Sequence, residues 1–129
     1  ELDFIGSDGE LKPGWLFDPE KKTEFYLLSW IWATREKGYT IDDITKLEVV
    51  LIERKILIEM LVNHGLDASK ASQITRSLRK SGKFGKQQSL PFAPFYFFFT
   101  GFLSEKPINV IVRKQQLIEL GVLHQFVRP

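Results

Sequence analysis

Glu1, Asp3 and Asp8 are three carboxylates within eight residues, and Glu1 and Asp3 share one face if the strand around them is regular. Two acids on one face can hold Mg²⁺, which takes one or two carboxylates and otherwise keeps waters and substrate phosphate oxygens. A metal held there would activate water and stabilise the leaving oxygen of a phosphodiester. Glu1 and Asp3 are therefore candidate catalytic and metal-binding residues, with solvated acids as the plainer alternative. Histidine adds little. His64 falls on an apolar helical stripe beside a glycine, a packing or capping position, and His124 has no partner in the sequence. The chain has no cysteine, which excludes disulfides and thiolate metal sites. It also lacks a Walker-type phosphate loop, a Gly-x-Gly-x-x-Gly fingerprint and a nucleophile elbow.

The opposite charge gathers in "RSLRKSGKFGK", residues 76–86, which holds five cationic side chains, two glycines and no acid. The net charge of +2 hides a division: residues 1–67 carry 14 acids and 8 bases, residues 68–129 carry 2 acids and 10 bases. Such asymmetry points to a side that faces a polyanion. Lys70, Arg76, Arg79, Lys80, Lys83 and Lys86 are the candidate phosphate contacts, with Arg76, Arg79 and Lys80 expected together on the outer face of a helix. Gly82 and Gly85 would let the backbone approach a phosphate closely. A solvated helix face is the bland alternative, but such faces normally carry interspersed acids. Trp15, Trp30 and Trp32 could stack on bases, although aromatics in continuous apolar runs usually form core.

These residues need elements to position them. "LDFIG" reads as a short strand closed by a Gly/Asp/Pro loop, and "GWLFD" as the opening of a second. "FYLLSWIWA" and "FYFFFTGF" are almost unbroken apolar runs, expected as strands of one sheet covered on both faces. "ITKLEVVLIE" is a further strand. From Arg54 the period becomes helical, Gly65 stops the first helix, Asp67 caps a second, and Gly82 ends it. Ala71, Ile74 and Leu78 would be its inner face, and "KFGKQQSLPFAP" a loop. "INVIVRK" reads as a strand and "KQQLIEL" as a short helix before Gly121. The fold class is α/β or α+β, a mixed sheet with flanking helices in one domain spanning 1–129, with the helical pair 54–81 inside it.

Three motifs carry a resemblance: Gly14-Trp15, Lys22-Thr23-Glu24-Phe25-Tyr26, and the segment Pro107-Ile108-Asn109-Val110-Ile111-Val112-Arg113-Lys114. In this order they resemble the C-terminal part of phage and mobile-element proteins of the PD-(D/E)XK nuclease-like superfamily. The resemblance implies a partial restriction-endonuclease-like fold and Mg²⁺-dependent phosphodiester hydrolysis. It also implies that the acid and acid-x-Lys element normally upstream of the Gly-Trp turn is not in this chain. Lys12, Lys21 and Lys22 follow these acids but read as loop, and none completes an acid-x-Lys tripeptide on a strand, so little cleavage is expected from these 129 residues alone.

The expected partner is nucleic acid, DNA ahead of RNA, with a homo-oligomer or a second polypeptide completing the active site. No apolar run is long enough to cross a membrane, and a cytoplasmic location is expected. The chain begins at Glu1 without an initiator methionine and reads as part of a longer polypeptide. Two rivals stand beside the nuclease. One is a non-catalytic DNA- or RNA-binding module, with the helical pair as a helix-turn-helix-like reader; the other is a protein-interaction subunit.

Overall fold

The structure, a computed structural model, describes residues 1–128. Eight strands and three helices follow in the order β1 (Asp3–Ile5), β2 (Leu11–Pro13), β3 (Phe25–Ala33), β4 (Ile44–Glu53), α1 (Arg54–Asn63), α2 (Ala68–Ser81), β5 (Gly85–Gln87), β6 (Phe95–Phe99), β7 (Ile108–Val112), α3 (Lys114–Leu120) and β8 (Leu123–Val127). They form two compact units, one of Glu1–Lys22 with Leu57–Arg113, the other of Thr23–Ile56 with the chain from Lys114 on. No described helix is long and apolar enough to cross a membrane.

The first unit contains a five-stranded sheet in the order β2-β1-β7-β6-β5, with every pair antiparallel. Alternation along β6 buries Phe95, Phe97 and Phe99 and leaves Tyr96 and Phe98 half-exposed. The helices lie on the buried side, where His64 stands edge-on to Phe95 and the Arg79 guanidinium lies over Phe99. Leu57, Met60, Leu61, Leu66 and Ala71 are also buried, as are Leu2, Leu16, Ala93 and Ile108. The Asp67 carboxylate accepts a hydrogen bond from the Lys70 amide (2.7 Å), and Gly82, at φ 64°, closes α2 in the left-handed region. Thr75 takes the buried position expected of Ile74, which is only half-buried.

The second unit holds an antiparallel sheet of three strands, β3-β4-β8, with α3 packed on β4. Residues opposite each other in register share a face. One face carries Leu28, Trp30 and Trp32 with Lys46, Glu48, Val50, His124 and Phe126. Here Val50 is fully buried and Gly121 lies against it; a Cβ on that glycine would come within 2.6 Å of Val50 Cγ1. The other face carries Phe25, Leu27, Ser29 and Ile31 with Leu47, Val49, Leu51, Leu123, Gln125 and Val127. Between β3 and β4, the Asp43 carboxylate accepts from Arg35 (2.8 Å), Thr34 (3.1 Å) and the Thr40 amide (2.7 Å).

Several expectations are corrected. The apolar runs 25–33 and 95–99 lie in different sheets: the first pairs with β4, the second with β5 and β7. Both sheets are antiparallel rather than mixed. The run 25–33 is not covered on both faces, since its odd-numbered residues from Phe25 to Ile31 are exposed. "GWLFD" forms a turn, and the second strand is Leu11–Pro13, which pairs back across the Gly6–Glu10 loop. Inside the stretch expected to be loop, Gly85–Gln87 adds an edge strand beside β6. The chain end pairs with β4 as β8, an element the sequence patterning did not suggest.

Candidate nucleic-acid interface

Helix geometry sorts the six cations. Successive residues on a helix are about 100° apart, so Arg79 is turned well away from Lys80, whereas Arg76 and Lys80, four apart, share a face. Arg76 and Lys80 are exposed on the side of α2 away from Ala71. Arg79 is turned to the sheet. Its Nη2 donates to Asp3 Oδ1 at 2.5 Å and to the Lys106 carbonyl at 3.1 Å, and its Nε is enclosed without a hydrogen-bond partner. Two residues expected in separate sites, a metal ligand and a phosphate contact, are thus each other's partners. Lys70 is exposed at the start of α2 beside the Asp67 cap, apart from the others along the helix.

Beyond Gly82 the loop is braced. Gln87 Nε2 donates to the carbonyls of Lys83 (2.8 Å) and Gly85 (3.1 Å). Phe84 packs against Phe99 with ring centroids 4.7 Å apart and the rings tilted by 58°, and lies over Gly101, where a Cβ would come within 2.5 Å of the ring. The backbone is therefore fixed while Lys83 projects into solvent. Lys86, on β5, is also exposed and holds its ammonium 4.5 Å above the Tyr96 ring. Arg76, Lys80, Lys83 and Lys86 make up the basic end of α2 and its following loop, and residues 68–104 contain no acid to neutralise them.

Glu1 and Asp3 separate. The strand starts at Asp3, so the alternation that would have aligned them does not reach Glu1. Asp3 is buried and lines a cleft of about 300 Å³ with Lys12, Phe17, Ser72 and Arg76. Glu1 lines a different cleft, of about 530 Å³, with Phe4, Asp8, Trp15 and Asp18. In that second cleft the Lys12 ammonium, 2.6 Å from Asp8, holds the Asp8 carboxyl below its ordinary range, helped by the Glu10 amide. Among the described residues no three His, Asp or Glu side chains are grouped as metal ligands would be.

The histidines divide. His64 Nδ1 is 2.9 Å from the Met60 carbonyl, the packing and capping role expected of it. His124 does have a partner: its Nε2 lies 2.9 Å from Glu48 Oε1, while Lys114 Nζ is bonded to Glu48 Oε2. The Lys114 bond, then the His124 contact, lower the pKa of Glu48 against the opposing effect of its burial. Lys114 also stands over Trp30 and Trp32, at 4.7 and 5.0 Å, and Lys46 lies between Trp32 and Phe126. This cluster escaped the sequence reading. Its signal was parity: Glu48 shares its strand face with Val50 and Ile52, an inward position where a charge needs a partner.

Comparison with known protein families, with curated proteins and with solved structures returned no match.

Proposed function

We propose that this chain binds nucleic acid through the phosphate backbone, double-stranded DNA in the first instance, at the basic end of α2 and the loop that follows. The observation that supports it most is the exposure of Arg76, Lys80, Lys83 and Lys86 around a braced loop in a stretch of the chain without acids. A surface that only needed solubility would not require its backbone to be fixed by Gln87 and Phe84. Lys70 adds a fifth contact at the far end of the helix. Phosphate contacts position a protein on nucleic acid and carry no sequence information, so the binding is non-specific in sequence.

The resemblance to PD-(D/E)XK proteins supplies a second reading, a Mg²⁺-dependent nuclease of restriction-endonuclease-like fold. What favours it is that Asp3, on a strand, reaches the same helix that carries the basic residues. No hydrolytic step is derived for Glu1 and Asp3, because Arg79 already holds the Asp3 carboxylate. Titration of labelled duplex DNA at increasing salt tests the binding. Five contacts give a log–log slope of about −4.5, or roughly 500-fold weaker binding between 50 and 200 mM salt. Binding that is absent or insensitive to salt would contradict the proposal. Adding Mg²⁺ to the same mixture tests the second reading, through cleavage that chelation abolishes.

A further inference from the structure

The three-stranded sheet of the second unit has one face that the chain leaves bare. Leu27 is 65% exposed, Phe25 and Val127 46% each, Ile31 44% and Leu123 40%. Leu47, Val49 and Leu51, half-exposed, fill the middle strand between them. A solvated face of an antiparallel sheet normally alternates to polar side chains; in this one two rows, Leu27–Leu51–Leu123 and Ile31–Leu47–Val127, are wholly apolar. Its polar members are Ser29 and Gln125, on either side of Val49, and its charge is Glu53 alone, at one end. The near-continuous hydrophobicity of β3 signals cover on both faces, and the covering segments of this unit lie against only one.

We infer that this face is the contact between two copies of the chain, packed sheet on sheet about a two-fold axis. Area supports a second copy. The exposed and half-exposed apolar residues leave on the order of 500 Å² open per copy, so a pair would bury about 1,000 Å², the lower bound for a specific interface. A two-fold contact sets one patch against itself; the one charge of this patch, Glu53, lies at its end, so the middle offers a partner chosen by charge complementarity nothing to grip. Two such sheets pack about 10 Å apart with their strands roughly aligned. With the axis along the strands, Ser29 of one copy comes opposite Gln125 of the other, so the two polar side chains meet. The inference does not depend on nucleic-acid binding.

Sedimentation equilibrium of the whole chain, from about 1 to 100 µM, tests it. The expected mass is twice 15.0 kDa. Leu27→Glu, at the most exposed position of the face, buries an unpaired carboxylate in the contact and is expected to weaken self-association by at least about 100-fold. Ile31→Lys is the second variant, and unchanged far-UV circular dichroism establishes that both fold. A wild-type chain at 15.0 kDa throughout would overturn the inference and give the face to a different protein. A dimer that survives both substitutions would overturn it too, because the contact would then lie elsewhere.

Discussion

Asp3 and Arg79, 76 residues apart in the chain, are joined at 2.5 Å with both side chains largely enclosed. The pair ties β1 to the last turn of α2 and so sets the position from which the basic loop departs. Removing one partner leaves a charge without compensation, which costs about 3–5 kcal/mol for a buried pair, whereas replacing both by apolar groups is often neutral. Asp3→Asn is therefore expected to lower the unfolding free energy by about 3 kcal/mol, and Asp3→Leu with Arg79→Met by much less. Urea denaturation of the two variants checks this; equal losses would mean the pair is not coupled.

Gly14 is required by its neighbours. A Cβ there would collide with the backbone of Glu1 and come within 2.7 Å of the Leu2 carbonyl carbon, while the Gly14 amide donates to the Leu2 carbonyl at 2.8 Å. Backbone cannot rotate away as a side-chain tip can. Gly14→Ala is expected to destabilise by about 1–3 kcal/mol, as overpacking does, read from the same denaturation curves. A neutral outcome would mean that the segment before β1 is free to shift.

Asp43 gives a pH dependence whose sign is fixed. Hydrogen bonds from Arg35, the Thr40 amide and hydroxyl, and Thr34 bring its pKa from 3.8 to about 2. A carboxylate depressed on folding stabilises fully above its unfolded pKa, and that contribution is lost as pH falls through the folded value. The denaturation midpoint of the wild type is thus expected to fall more steeply between about pH 5 and pH 2 than that of Asp43→Asn. Parallel profiles would show that Asp43 is not held in this way.

Glu48 should respond to its lysine. The Lys114 bond is the largest influence holding the Glu48 carboxyl below the ordinary range, and burial opposes it. Lys114→Met is expected to raise the Glu48 pKa, seen as an upward shift of its carboxyl resonance titration. The acid-side loss of stability contributed by this group should shrink correspondingly. An unmoved titration would exclude Lys114 as the partner.

The parts of the fold legible in the sequence were those set by local chemistry. Asp67, Gly65 and Gly82 bounded the helices, because capping and left-handed geometry depend on single residues. The strand 44–53 was legible from its β-branched run. Pairing was not. Nothing local tells Phe25–Ala33 to join β4 and β8 while Phe95–Phe99 joins β5 and β7. The fate of Arg79 was hidden similarly. Its 100° offset from Lys80 was available, but the acid that draws it inward lies at the other end of the sequence.

The most direct measurement of phosphate binding is the salt dependence of duplex DNA affinity in two variants. With Arg76, Lys80 and Lys83 all replaced by Ala, the slope is expected to flatten by about 2.7, at about 0.9 per lost contact, with all sequences weakened alike. In the folded Asp3→Leu/Arg79→Met variant the slope should stay at the wild-type value, because Arg79 faces the sheet. A triple variant with unchanged slope, or a double variant that flattens it, would contradict the assignment of the basic end of α2 as the phosphate-binding surface.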